Sequence, residues 1–264
     1  MPFPQHPGKH RAKALFAASE FHRYEARTTG RSPPSVPASI LLVFGQRRWR
    51  RYLDQKYRGA LDRRTDVYRV APSTGVTILD GPGAPFAAIC IEELAALGAR
   101  RFVIAGLAGS LQRDLRVGSL VLCRRALRDE GTSHHYVGPG RFASPSPRLT
   151  ARLRRTFQRA GVPFAFGDTW TIDAPYRETR AEIRRYRADG ILTVEMEASA
   201  AFAVARCRRC EASAAFVISD HLDESGWEPR FHDTRAALRR AFDLSVEALS
   251  GGSPLRCDGP SSRG

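Results

Sequence analysis

Short apolar runs alternate with helix-patterned segments along most of the chain, and this alternation restricts the fold more than any other feature. SILLVF (39–44), GVTIL (75–79), FVIA (102–105), SLVLC (119–123), ILTV (191–194) and AAFVI (214–218) are brief and largely β-branched or aliphatic. Runs this short, bounded by Gly, Pro or polar residues, read as buried strands. Between them, FAAICIEELAAL (86–97) has helical spacing and is ended by Gly98. Residues 151–160 form a basic amphipathic helix, 198–205 a second helix, and 233–249 a long closing helix with Asp233 as its N-cap. Strand and helix in repetition predict an α/β domain, with a parallel or mixed sheet and helices on its faces. Reactive groups in such folds gather at the C-terminal ends of strands. No internal repeat is present, and residues 38–250 read as one domain.

The flanks differ in composition. Residues 1–37 are polar and basic, with Pro and Gly gathered at 28–37, and read as a flexible arm containing one short helix at 15–24. Residues 251–264 are rich in Gly, Ser and Pro and read as a disordered tail. No stretch reaches the roughly 18 uninterrupted apolar residues of a membrane span. Residues 1–37 also lack the charged-apolar-small pattern of a secretion signal. The expectation is a cytoplasmic protein with no membrane partner.

The net charge of +15 raises the question of a nucleic-acid partner. Lys9, Lys13 and Lys56 are the only lysines, and the arginines are scattered over many segments rather than gathered in a stripe. That distribution points to arginine-biased composition that also suits small anionic substrates, so no nucleic-acid partner is expected. Cys90, Cys123 and Cys257 stand alone, and Cys207-x-x-Cys210 has no second pair to complete a zinc site. Reduced thiols and no metal are expected.

Three strand ends carry chemistry. Ala105-Gly106-Leu107-Ala108-Gly109-Ser110 closes the FVIA strand, and its glycines let backbone N–H groups approach an anion or sugar. Val194-Glu195-Met196-Glu197-Ala198 sets two carboxylates at the end of ILTV. If the strand continues, both share one face; if a helix starts there, Glu197 instead meets the helix dipole. A carboxylate in this place can accept both hydrogen bonds of a vicinal diol. Ile218-Ser219-Asp220-His221 delivers an aspartate to the sheet rim, either as a cap or as a general acid.

Taken together, VEMEASAAFAVA (194–205), VISDH (217–221), AGLAGSLQ (105–112) and GPGAPFAAICIEELAALGARRF (81–102) resemble the nucleoside phosphorylase-I family. DEGTSHHY (129–136) and DTWTIDAPYRET (168–179) are similar to its uridine phosphorylase-like branch, and the resemblance runs from about residue 40 to 249. It implies a single phosphorylase/hydrolase-like domain whose twisted mixed sheet closes towards a barrel flanked by helices. It implies a homo-oligomer, a dimer or a hexamer, acting on a nucleoside and phosphate. A purine or uridine-type nucleoside would be split to free base and ribose 1-phosphate, with phosphate as co-substrate and no cofactor. By the same resemblance Glu197 would hold the ribose hydroxyls, and Met196 would pack beneath the sugar. Asp220 would protonate the base. Trp170, Glu195 and Arg177 are expected at the base, and Gly45, Arg48, Gly106 and Ser110 at phosphate.

The family commonly has Arg and then Gly-Thr at the first glycine turn, where this chain has Ala105 and Leu107. A nucleosidase using water, with Asp54 as the nearest acid to activate it, is therefore an alternative. A non-catalytic nucleoside-binding protein is the other. His6, His10 and His22 are candidates for a histidine lent across a dimer, and His134-His135 for loop or interface support.

Overall fold

The computed structural model describes residue 6 and residues 8–251, apart from the side chains of residues 46–48. In chain order the elements begin with α1 (Ala18–Thr29), β1 (Ser39–Phe44), α2 (Gln46–Lys56) and β2 (Leu61–Asp62). They continue with β3 (Val67–Ala71), β4 (Thr74–Leu79), α3 (Ala84–Ala96), β5 (Arg101–Ser110), β6 (Leu120–Asp129) and β7 (Phe142–Ala143). Next come α4 (Pro147–Arg159), β8 (Ala165–Ile172), α5 (Arg180–Ala188), β9 (Thr193–Glu195) and α6 (Ala198–Cys207). The chain then runs through β10 (Glu211–Asp223), β11 (Gly226–Pro229) and α7 (Arg235–Ser250).

The strands form one mixed sheet with β5 at its centre. On one edge β5 pairs in parallel with β10 along nearly its whole length. The other edge is shared. Ser39–Val43 of β1 pair in parallel with Arg101–Ala105, and β9 then pairs antiparallel with Gly109 and Ser110. Because β10 pairs with β6, β6 with β8, and β8 with β9, the strands β5, β10, β6, β8 and β9 close on themselves. This five-stranded ring is the barrel that the family resemblance implies. β1, β4, β3 and β2 extend from it as an open sheet.

Helix sequences follow their burial. α4 starts with Pro147 at its first turn and buries Leu149, Leu153, Thr156 and Phe157 on one face, leaving arginines outward. α6 is alanine-rich and buried along Ala198–Ala205, so small side chains let it lie close to α3 and the sheet. One core fills the space between the sheet and α3 and α6, and a second lies beneath α2, α4 and α7. In the second, Trp49 stacks on Phe242 with ring centroids 4.8 Å apart. Burying side chains of this size stabilises the fold by roughly 1.5–3 kcal/mol each.

Several expectations shift by a few residues. The helix in the N-terminal arm spans Ala18–Thr29 rather than 15–24, and it packs on α3. The closing helix starts at Arg235, after a turn over Phe231–Thr234 that takes in Asp233. The tail expected from 251 lies outside the described residues beyond Gly251 itself. Among the described residues no helix is long and apolar enough to cross a membrane.

Candidate active site at the split edge of β5

The edge of β5 that changes partner is where the chemistry gathers. β1 stops pairing at Ala105, β9 begins at Gly109, and the residues between are left to the loops that leave the sheet there. A change of direction of this kind opens a crevice at strand ends. Gly45 follows β1 directly and precedes α2. Gly106 lies against Phe44, where an added Cβ would meet the ring at 3.4 Å. These two glycines stand together at the split.

β9 ends at Glu195, and the turn Met196-Glu197 leads straight into α6. Glu195 is buried and fully engaged. Thr171 Oγ1 donates to its Oε1 at 2.5 Å, and the N–H groups of Glu197 and Ala198 donate to its Oε2 at 2.8 Å. It therefore caps α6 and fixes the turn; both oxygens are engaged there rather than turned to a base, the role that the family resemblance implied for it. Met196 is half-buried in the same turn.

Glu197 is also buried, yet among the described residues no side chain donates to it. The Gly83 N–H, in the loop between β4 and α3, donates to its Oε1 at 2.6 Å. Burial, with the charge of Glu195 second, raises its pKa, while the Gly83 and Met196 backbones pull it back. Glu195 is raised too, chiefly by burial, against its three donors. Donors aimed at a carboxylate favour its charged form, so the better-supplied Glu195 is the partner that keeps the charge. Glu197 is the one that accepts a proton or a ligand hydroxyl.

The opposite edge of β5 brings Asp220. The register between β10 and β5 slips at Ser219, so that Ile218 faces Ala108 and Asp220 faces Gly109. Such a bulge re-aims the side chain that follows it. Ser219 Oγ lies 2.5 Å from Asp220 Oδ1, and the indole Nε1 of Trp227 donates to Oδ2 at 2.8 Å. Trp227 sits on β11, which folds back on β10, and it is 60% exposed. Gly109 is thus the register partner of both Val194 and Asp220. An added Cβ there would lie 2.3 Å from Leu222 Cδ1, 3.0 Å from Asp220 Oδ2 and 3.2 Å from Val194 Cγ1. The Glu-Met-Glu turn and the Ser-Asp turn therefore reach the same stretch of β5 from its two edges.

Other expected site residues fall elsewhere. Trp170 is fully buried in an apolar cluster with Leu111, Leu127, Ile183, Val194 and Leu222. Its indole donates to Asp129 at 2.9 Å and its ring packs edge-on against Tyr186. Neighbouring strand residues point to opposite faces, and Thr171 takes the face towards Glu195, so Trp170 cannot stack on a base. Ser110 is buried, and its hydroxyl lies 2.8 Å from Gln112 O and 3.1 Å from Gln112 N, closing a turn instead of meeting an anion. Arg177 is exposed on the turn Pro175–Arg177. The Arg48 side chain lies outside the described residues. Asp54, the acid of the hydrolytic reading, is exposed on α2 and accepts the Tyr68 hydroxyl at 2.7 Å.

Two residues near the site escape the sequence reading. One is Trp227. The other is Glu178, which follows Arg177 and is half-buried. Burial first, then the charge of Asp220 and that of Glu182, pushes its carboxyl up to about 7. The Gly-Trp pair just past a polar turn is the only signal for the first. Nothing in the residue string separates Glu178 from its charged neighbours.

A barrel-closing α/β sheet with a buried glutamate and an aspartate on the two edges of one strand defines a phosphorylase-type scaffold. Residues 57–249 match the family model described as the phosphorylase superfamily, and the chain belongs to that family. It is 32% identical over 150 residues to the guanosine phosphorylase of Halorubrum lacusprofundi, a match covering 56% of this chain and 62% of that protein. It is 30% identical over 196 residues to the uridine phosphorylase of Treponema pallidum, covering 69% of this chain and 76% of that one. A solved purine nucleoside phosphorylase from Toxoplasma gondii, in complex with immucillin-H, superimposes with a TM-score of 0.71 at 19% identity. That superposition covers 82% of this chain and 92% of that chain. A uridine phosphorylase from Vibrio fischeri does so with a TM-score of 0.68 at 23% identity, covering 83% and 95%. The two structures support the fold.

Proposed function

We propose that the protein is a nucleoside phosphorylase, a pentosyltransferase that splits the N-glycosidic bond of a purine or uridine-type nucleoside with phosphate. Free base and ribose 1-phosphate are the products. The observation that carries this reading is Glu197, a buried carboxylate that accepts from the Gly83 N–H and, among the described residues, from no side chain, in the turn after β9 on one edge of β5 while Asp220 stands on the other. A carboxylate so placed accepts both hydroxyls of a vicinal diol. Met196 lies beneath the sugar.

The steps follow from charge. The glycosidic bond breaks as its electron pair moves to the base, leaving an oxocarbenium-like sugar. Asp220 passes a proton to the base nitrogen in this step and so stabilises the leaving group, a contribution of roughly 10²–10⁴-fold. This favours purines, which offer N7. A phosphate oxygen attacks the sugar carbon from the opposite face. Gly45 and Gly106 line the anion's place at the split edge, with Arg48 as the charged contact. No cofactor takes part, and the enzyme works as a cytoplasmic homo-oligomer, a dimer or a hexamer.

Ala105 and Leu107 give the hydrolytic alternative its support. Ala105 is fully buried and Leu107 packs against the core beneath α7, so neither supplies a phosphate donor through its side chain. Incubating the purified protein with guanosine, inosine, adenosine and uridine, with and without phosphate, separates the readings. Phosphate-dependent appearance of base and sugar phosphate is expected. Base release at equal rate without phosphate would establish the nucleosidase instead.

A further inference from the structure

The segment DEGTSHHY (129–136) takes no part in the proposed chemistry, yet its glutamate is buried against the sugar turn. β6 ends at Asp129, and Glu130 is the next residue. Glu130 Oε2 accepts the Ser133 N–H at 2.9 Å, at the start of the turn over Ser133–His135. Its Oε1 accepts the hydroxyl of Ser199, in the first turn of α6, at 2.7 Å. Arg128, also buried, holds the same loop. Its Nε donates to Ser133 Oγ at 2.8 Å, and its Nη1 to Gly138 O at 2.8 Å and Gly140 O at 3.2 Å. Burial lowers the Arg128 pKa, and the charge of Glu130 opposes that shift. The two side chains thus offset each other's charge inside the fold.

From Ser199 the bonds continue to Glu197. The Ser199 N–H donates to Thr171 Oγ1 at 3.1 Å, and the Thr171 hydroxyl donates to Glu195 Oε1 at 2.5 Å. Glu195 Oε2 accepts the N–H groups of Glu197 and Ala198. The first N–H groups of a helix have no partner within it, and here side chains of β8 and β9 supply them. Those two anchors leave a rotation about the line that joins them. The Ser199 hydroxyl on Glu130 adds a third anchor, just past β6, and removes that freedom. Glu197 is the N-cap of α6, so its carboxylate is aimed by the turn that these three anchors fix.

We propose that Glu130 is a positioning residue for the pentose: through Ser199 it fixes the first turn of α6 and holds the Glu197 carboxylate where both ribose hydroxyls reach it. The proposal rests on the nucleoside reading of the site. Glu130 itself touches no substrate. Accepting two neighbouring hydroxyls requires both carboxylate oxygens to be aligned at once, whereas a single hydroxyl tolerates a tilt. Misplacing a positioning group by a fraction of an ångström weakens the bonds that depend on it. A loosened α6 turn therefore costs a ribonucleoside more than its 2′-deoxy counterpart, whatever the base.

The test measures kcat/KM for guanosine and 2′-deoxyguanosine, and for uridine and 2′-deoxyuridine, with and without phosphate. Wild type is compared with Glu130→Gln, Ser199→Ala and the double variant. Glu130→Gln removes the charge at constant shape. Ser199→Ala places a strong helix former in α6 and keeps the backbone bond to Thr171, so this variant retains the fold. The ribo-to-deoxy ratio should fall by about 3- to 10-fold in each single variant, to the same extent for both bases. The double variant should fall no further than the more severe single one, because both substitutions break one link. A merely structural residue would lower both sugars alike. That result, or effects that multiply in the double variant, overturns the positioning role and leaves phosphorolysis standing. A ratio that falls as expected while base release needs no phosphate supports the positioning role and removes phosphorolysis. Neither turnover nor calorimetric binding of any nucleoside by the wild type removes both.

Discussion

On one edge of β5, the turn after β9 is sealed. Glu195 takes a hydroxyl and two N–H groups, and those same bonds start α6. On the other edge, Asp220 is held by the adjacent Ser219 hydroxyl and by an indole on an exposed two-strand ribbon. The first edge is fixed by the body of the fold before any ligand arrives. The second is fixed by a side chain that water can reach. On the nucleoside phosphorylase reading proposed above, the contrast matches the two halves of the substrate. The pentose is common to all substrates and suits a preorganised grip, whereas the base varies and suits a wall that can be altered without disturbing the core.

The contrast breaks in graded ways. The largest effect is expected at the acid itself. Asp220→Asn should lower purine turnover by about 10²–10⁴-fold, with thermal unfolding close to wild type; unaltered turnover would take Asp220 out of the chemistry. Thr171→Val removes one donor from Glu195 and should cost about 1–3 kcal/mol of stability. Steady-state assays should show the same KM increase for every nucleoside, and an increase confined to one base would place Thr171 on the wrong edge.

A pH series sharpens the same edge. Glu195 and Glu197 hold protons more tightly folded than unfolded, since burial raises both. The contribution of this pair to stability should then be greatest at acid pH and decline as pH rises from about 5 towards the raised folded values. Glu197→Gln should flatten that decline by about 1–2 kcal/mol between pH 6 and pH 9 in denaturant titrations. An identical slope in the variant would show that Glu197 ionises freely. The smallest change belongs to the open edge. Trp227→Phe keeps the ring but loses the donor to Asp220, and should alter stability by no more than about 1 kcal/mol. Its kinetic effect should differ between bases, and a uniform effect would argue that β11 serves the scaffold alone.

Much of the scaffold is legible in the residue string, because strands buried on both faces read as apolar runs. β1, β4, β5 and β10 are visible in this way. β8 is not, since Ala165–Ile172 intersperses Asp168, Thr169 and Thr171 with its apolar residues, and each of those polar groups is satisfied only by distant partners. α2 is hidden by its arginines. The Glu-Met-Glu and Ser-Asp turns stand out because acids at the ends of apolar runs are unusual. Facing is harder to read. Trp170 and Thr171 are neighbours with opposite outlooks, and a single residue of parity decides which meets the site. Arg177 and Glu178 present the same difficulty on a turn, where no period exists to say which one looks inwards.

Gly109 carries the two edges on one α-carbon. A methyl group there would collide with Leu222 and crowd Asp220 and Val194 in the same event. Divergence towards new substrates therefore has no route through this position. The β11 ribbon, where the exposed Trp227 reaches Asp220, leaves room for such change, so natural variants with altered base choice should differ there while keeping hydrogen at this one site.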